Sequence, residues 1–546
     1  MGWLDHLVII PVLLPLVTGA LLLMFDERRH KLKATINVVS TICLGLVALA
    51  LLDLANTPTA ANTETASVYL LGNWPAPFGI VLVLDRLSAL MLVLTSLLAL
   101  PALIYSLSRW HKSGPHFHTL FQLLLMGLNG AFLTGDLFNL FVFFEVLLAS
   151  SYGLMLHGSG PLRVKAGLHY IVINLAASSL FLIGVAMIYG VTGTLNMADL
   201  AVRIASVPDA DRMLLDAGAG ILGIAFLVKA GMWPLGFWLP TAYNAAAAPV
   251  AAIFAILSKV GIYVLMRLSP LLFGAEAGAS TGFGDEWLMV GGMVTMAFGI
   301  IGVLASQAKG RLAGFYILVS SGTLLASIGM ANAPTTAGAL FYLVSSTLAV
   351  SAFFLLIELV DRVQDPAANV LAVTMDAYGD DMEEEEAAEE VGVAIPATLV
   401  ILGICFASCG LLLAGLPPLS GFIGKFAILT AVFNPNGLTQ GSTLSLSTWV
   451  FAGLLVVSGL AAMIAITRAG IQTFWAPIEG RVPRVLLMEI APIAFLLMLC
   501  VGQTIFGGPI MRYMEQTAQS LHAPETYIQG VLTAPRVPSP AKEAAP

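Results

Sequence analysis

The chain has 546 residues, a formal net charge of −8, 58% hydrophobic and only 10% charged residues, and a mean hydropathy of +0.92. Soluble domains carry about 25% charged residues, so the composition excludes an ordinary soluble enzyme, and nothing in it resembles a nucleic-acid binder. The four cysteines (Cys43, Cys405, Cys409, Cys500) lie in apolar segments with no accompanying His or Asp, which reads as packing rather than metal ligation.

The apolar runs predict an all-α polytopic membrane protein of about 14 transmembrane helices. The spans run roughly 4–24, 36–54, 80–107, 117–134, 137–156, 168–191, 217–239, 247–268, 286–305, 312–331, 338–360, 394–433 (broken), 447–468 and 486–507. The first lacks a basic leader and a small-residue cleavage site, so it reads as a retained span. Basic residues follow the odd-numbered spans: Arg28, Arg29, Lys31 and Lys33, then Arg109 and Lys112, Arg163 and Lys165, Lys309 and Arg311, Arg362, and Arg468, Arg481 and Arg484. The positive-inside bias therefore places these loops in the cytoplasm and both termini outside.

Of the 24 Lys and Arg residues, only Lys229, Lys259 and Lys425 fall inside spans; Arg267 is read as lying at a span end. Among the acids Glu145 is mid-span, Asp136 opens the same span, and Asp85, Glu358 and Glu489 lie nearer span ends. A charged side chain at bilayer depth costs roughly 2.5–3.5 kcal/mol on insertion scales, so such groups are expected to face an interior and to act there. The stretch 226–267 joins two spans across Pro234, Pro240 and Pro249, with Lys229 on one side and Lys259 on the other. Near 394–432 the GLPPLSG core (415–421) cannot continue a helix, because Pro417 and Pro418 remove donors, and Lys425 follows. Interrupted segments at corresponding places of two halves predict two inverted five-helix repeats, spans 4–8 and 9–13. The domains are accordingly 1–115 (spans 1–3), 116–270 (first repeat), 280–470 (second repeat, with an acidic cytoplasmic loop at 363–392), 480–510 (last helix) and 511–546 (tail). The acids of 376–390 read as a solvated loop, and the Pro- and Ala-rich tail from about residue 518 as poorly ordered.

Glu145 and Lys229 share the same depth, which makes them a candidate mid-membrane pair, with Lys259 and Lys425 continuing a line of protonatable groups. A structural ion pair accounts for two of these charges and leaves the other two unexplained. Asp136 and His169 are candidates for proton entry or exit. His111, His116 and His118 lack a carboxylate or thiolate and read as a solvated loop. No phosphate loop, catalytic triad, haem motif or iron–sulfur motif is present, so no cofactor, metal or enzymatic activity is expected, and the energy must come from an ion gradient or a partner.

At these residues the chain resembles the antiporter-like membrane subunits shared by complex I, membrane-bound hydrogenases and Mrp-type cation/proton antiporters. The matching stretches are GDLFNLFVFFE (135–145), FLVKAGMWPLGFWLPTAY (226–243), APVAAIFAILSKVGIYVL (248–265) and GLPPLSGFIGKF (415–426). The likeness is greatest to the D-type subunits of Mrp, also called Pha, antiporters. It implies a proton relay through Glu145, Lys229, Lys259 and Lys425 that joins half-channels to the two sides. It also implies Na⁺ or K⁺ exchanged for H⁺ in a complex with other membrane subunits of the lipid bilayer. One departure is the start of span 10, KGRLAGFYILVSSGT, where many relatives carry a more basic, Ser- and His-containing start. The alternative is a proton-pumping subunit of a redox-driven complex I or hydrogenase relative, with the same residues and a different energy source.

Overall fold

The computed structural model describes residues 3–56, 67–363, 397–435, 444–474 and 485–536, so the acidic run at 376–390 lies outside the described residues. The apolar runs become helices because a bilayer leaves backbone donors and acceptors no partner except each other. They are α1 (Ile10–Leu23), α2 (His30–Asn56), α3 (Arg86–Ser106), α4 (Phe117–Leu133), α5 (Leu137–Met155) and α6 (Pro161–Thr192). Next come α7 (Met197–Ile204), α8 (Asp209–Ala230), α9 (Trp238–Ala245), α10 (Ala248–Phe254), α11 (Leu257–Phe273), α12 (Asp285–Ala305), α13 (Lys309–Gly329) and α14 (Ala333–Val363). The chain ends with α15 (Ala397–Ala414), α16 (Ser420–Phe433), α17 (Leu446–Phe474), α18 (Leu487–Ile505), α19 (Gly507–His522) and α20 (Glu525–Leu532). Among the described residues 13 helices are long and apolar enough to cross a membrane, and α4, at 17 residues, is just shorter. With α15 and α16 counted as one broken crossing, this matches the fourteen expected spans. The molecule is a multi-pass membrane protein.

The crossings at 248–273, 309–329 and 333–362 are almost wholly enclosed by protein. Apolar residues recur on every side of them, as expected of a helix buried all round, with buried polar groups such as Lys259, Arg267 and Ser320 set among them. The outer crossings such as α2, α6 and α18 leave much of their apolar surface exposed. The loops fall on two faces. One face holds the turn at 24–29, the segment 107–116 and the ends of α14 and α18, tied by Arg109–Glu358, Arg362–Glu358 and Arg362–Glu489 ion pairs. The other holds a two-stranded antiparallel hairpin, β1 (Ser67–Leu70) and β2 (Val81–Leu84), together with α7, α19 and α20. Both ends of the described chain lie on this second face: residues 3–9 pack on the hairpin, and α20 packs on α7 and β1.

Three expectations change. The third crossing begins at Arg86, not 80, because residues 81–84 pair as β2 and Asp85 caps the helix, accepting from the Ser88 N–H at 2.9 Å. Arg267 is not a span-end residue reaching to water; it is buried and paired with Asp85. The tail is folded through α19 and α20, because Met514, Thr517, Ala518 and Leu521 recur at helical spacing and bury one face of α19 against the bundle.

Candidate functional site

The two broken crossings are built by one local device. α8 ends in a Schellman motif: Gly231 adopts φ +79°, its N–H donates to Val228 O at 3.2 Å, and Met232 N–H donates to Leu227 O at 3.0 Å. α15 ends the same way, with Gly415 at φ +72°, its N–H on Leu412 O at 3.2 Å and Leu416 N–H on Leu411 O at 3.0 Å. Pro234, and Pro417 with Pro418, then prevent the helix from resuming at once. Pro240 is not part of a break. It sits in the first turn of α9, where its missing N–H costs nothing. A lesser irregularity interrupts the next crossing between α10 and α11. There Ala255 and Ile256 donate to Ala252 and Ile253, three residues back, and the Tyr243 hydroxyl donates to Phe254 O at 2.6 Å.

Each of the three lysines lies at or just beyond one of these interruptions, and each is buried: Lys229 is 8% exposed, Lys259 2% and Lys425 7%. Lys229 occupies the last turn of α8. Its Nζ donates to Asn174 Oδ1 of α6 at 3.1 Å and stands 5.7 Å from the Phe144 ring centroid. The Asn174 Nδ2 donates to Tyr170 O at 2.7 Å, which fixes the amide with its oxygen toward the lysine. Lys259 Nζ donates to Ser320 Oγ of α13 at 2.9 Å, and Ser320 lies 2.9 Å from the Ser346 hydroxyl of α14. Lys425 Nζ donates to Ala414 O at 3.1 Å and to Ser458 Oγ of α17 at 3.2 Å. A cavity of about 310 Å³ opens beside Lys425, Gly415 and Gly459.

Glu145 sits in the middle of α5, half-buried, with an enclosed Oε1 that has no hydrogen-bond partner. It is within electrostatic reach of Lys229, yet among the described residues no carboxylate comes within 4.0 Å of any of the three lysines. Phe144 and Phe226, 6.1 Å between centroids, pack where α5 meets α8. The closed Glu145–Lys229 ion pair expected from their shared depth is therefore open in this conformation. Asp136 is the N-cap of α5, accepting from Asn139 N–H at 2.9 Å. His169 lies exposed on the outer side of α6 and is not brought to the lysines. His111 and His118 are buried rather than solvated as expected, His118 lying 2.8 Å from Asn37, while the exposed His116 pairs with Glu27; none is brought to the lysines. No group of three or more His, Cys, Asp or Glu suited to a metal occurs among the described residues.

The sequence did not single out Asn174, Ser320, Ser346 or Ser458, nor the Ala414 carbonyl. The available signal was an amide or hydroxyl inside an otherwise apolar span, which in membrane proteins more often marks helix packing than a site.

Residues 134–452 match the family described as NADH:quinone oxidoreductase/Mrp antiporter, TM. A relative from Rhizobium meliloti, named as the D subunit of a probable K⁺/H⁺ antiporter, is 62% identical over 537 residues, covering 98% of this chain and 99% of its own length. The D subunit of the Na⁺/H⁺ antiporter of Alkalihalophilus pseudofirmus is 32% identical over 539 residues, covering 97% and 99%. Among solved structures, a chain of the Mrp complex from Dietzia sp. DQ12-45-1b superposes with a TM-score of 0.80 at 25% identity, over 97% of this chain and 100% of that one. A chain of respiratory complex I from Thermus thermophilus gives 0.71 at 22% identity, over 94% and 99%, a likeness of fold.

Proposed function

The chain belongs to the NADH:quinone oxidoreductase/Mrp antiporter membrane family, and on that premise we propose that it is the D-type subunit of a Mrp/Pha-type Na⁺ or K⁺/H⁺ antiporter. It works as a secondary transporter component rather than an enzyme. It assembles with other membrane subunits in a bacterial inner membrane, with both termini outside, and spans 4–8 and 9–13 form inverted repeats. Protons pass at mid-membrane along Glu145, Lys229, Lys259 and Lys425.

The observation that carries this reading is the set of three enclosed ammonium groups held, among the described residues, by neutral oxygens, each at an interrupted helix. A buried charge without a counter-ion is expensive to keep as ornament. It is useful where a proton must be taken up and passed on. Glu145 controls the first step: closing on Lys229 it favours the ammonium, and withdrawing it favours release. The hydroxyls of Ser320 and Ser346 both donate and accept, so they extend the line from Lys259 into α13 and α14.

The test is cation/proton exchange in everted vesicles of an antiporter-deficient strain carrying the whole operon, with ΔpH followed by a fluorescent dye. Wild type is expected to dissipate ΔpH when Na⁺ or K⁺ is added, and Lys229→Ala to lose that response at normal membrane abundance. Exchange by Lys229→Ala at the wild-type rate removes the relay from this subunit. Absence of exchange in wild type moves the redox-driven reading to the front.

A further inference from the structure

α11 is buried on every side, and its middle is apolar except for one stripe. Lys259, Tyr263 and Arg267 recur every four residues, so they climb one side of the helix from mid-membrane toward the hairpin face, over about 12 Å. Neither of the last two has a place in the lysine relay. Arg267 grips Asp85 with both terminal nitrogens, Nη2 to Oδ1 at 2.8 Å and Nη1 to Oδ2, and its Nη2 also lies 3.5 Å from the Tyr263 hydroxyl. The Tyr263 hydroxyl donates to Phe132 O at 2.6 Å, at the end of α4. On the outer side the pair is covered by the helices that follow the last crossing. The Tyr527 ring of α20 lies 5.2 Å from the Arg267 guanidinium, and its burial is almost complete. A cavity of about 20 Å³ remains between the pair and this cover, walled by Asp85, Arg267, Ser520, Thr526 and Tyr527. That is room for about one water, with the polar partners a water needs.

We propose that the Asp85–Arg267 pair is the outer gate of a proton passage that reaches Lys259 along Tyr263, and that α20 holds this gate shut through Tyr527. The inference rests on the relay reading and adds the route by which Lys259 meets the hairpin side. When the pair is closed, both carboxylate oxygens of Asp85 are occupied and the file stops at the single-water cavity. When α20 lifts, Arg267 keeps Tyr263 as an alternative partner, Asp85 turns to water, and a proton crosses between that water and Lys259. An antiporter needs such a stop, because a passage open at both ends would leak protons without moving the cation.

The experiment measures ΔpH decay in everted vesicles carrying the whole complex, before any Na⁺ or K⁺ is added. Tyr527→Ala removes the cover and leaves the ion pair in place; it is expected to raise this cation-independent decay several-fold. Adding Lys259→Ala to the same chain is expected to restore a tight membrane, because the leak runs through that lysine. Should Tyr527→Ala fail to reach the membrane, Arg267→Lys keeps the charge and loses the two-pronged grip, with the same expected leak and the same suppression. A tight membrane in the single variant, or a leak that survives Lys259→Ala, overturns the gate. Wild-type exchange by Lys259→Ala alone overturns instead the relay on which the gate depends, so the two failures read differently.

Discussion

The two interrupted crossings share their backbone and differ in where they carry the charge. Both first helices close with a left-handed glycine, Gly231 or Gly415, and the same pair of reversed hydrogen bonds. In each, a glycine past the break comes back onto that helix end: a Cβ on Gly236 would sit 2.1 Å from Gly231 O, and one on Gly421 would sit 2.1 Å from Leu412 O. Yet Lys229 precedes its break, in the last turn of α8, while Lys425 follows its break, in the second turn of α16. A helix C-terminus carries partial negative charge and favours a cation there. Lys229 has that environment by residence. Lys425, near the unfavourable N-terminal pole of α16, obtains it by reaching back to the Ala414 carbonyl at the end of α15. The lesson is that one lysine stands in the last turn before its break while the other reaches back across its break to the preceding helix end, and that among the described residues only Lys229 is also within electrostatic reach of a carboxylate, Glu145.

The largest test of that difference is Glu145→Gln. If the first break depends on a movable counter-charge, the amide is expected to slow exchange by roughly tenfold or more, the factor that about 1.4 kcal/mol of lost compensation carries. Dye traces over a range of Na⁺ and K⁺ concentrations measure it. Rates equal to wild type would mean that the two breaks work alike and that Glu145 is a bystander. Next in size are Gly236→Ala and Gly421→Ala. Each forces a methyl into a backbone carbonyl, and crowding of that kind costs about 1–3 kcal/mol. Both are expected to lower the thermal midpoint of the detergent-solubilised complex by similar amounts; a large drop from one alone would break the backbone parallel.

Much of this was legible in the sequence. Hydropathy alone gives fourteen crossings, and three lysines stand out in apolar runs because little else there is charged. The parallel between the breaks was also readable: Ala230-Gly-Met-Trp-Pro-Leu-Gly236 and Ala414-Gly-Leu-Pro-Pro-Leu-Ser-Gly421 share Ala-Gly, Pro-Leu and a closing Gly, and differ by two substitutions and one inserted serine. What the sequence hides is lateral. Asp85 meets Arg267 across 182 residues, and the choice of Asn174 or Ser458 as a lysine's partner depends on how α6 and α17 are rotated. Polar residues of that kind are scattered through all the spans. The amphipathic spacing of α19 was present in residues 514–521, but it was masked by the Pro- and Ala-rich stretch beyond it.

The smallest effect sharpens the comparison most. Lys425 has two partners, the Ala414 carbonyl and the Ser458 hydroxyl. Lys229 has, among the described residues, the Asn174 amide alone. Removing one neutral partner in a buried site costs about 0.5–1.5 kcal/mol when another acceptor remains, and more when the donor is left without any. Ser458→Ala leaves the backbone carbonyl in place, so its exchange rate is expected to stay within about threefold of wild type, the factor for about 0.65 kcal/mol, near the lower end of that range. Asn174→Leu strips Lys229 of its acceptor, and exchange is expected to fall much further at equal membrane abundance. The reverse order, with Ser458→Ala the more damaging, would show that the hydroxyl rather than the helix end holds Lys425. The serine would then be a member of the proton line, standing on the thirteenth crossing where Lys259 stands on the eighth.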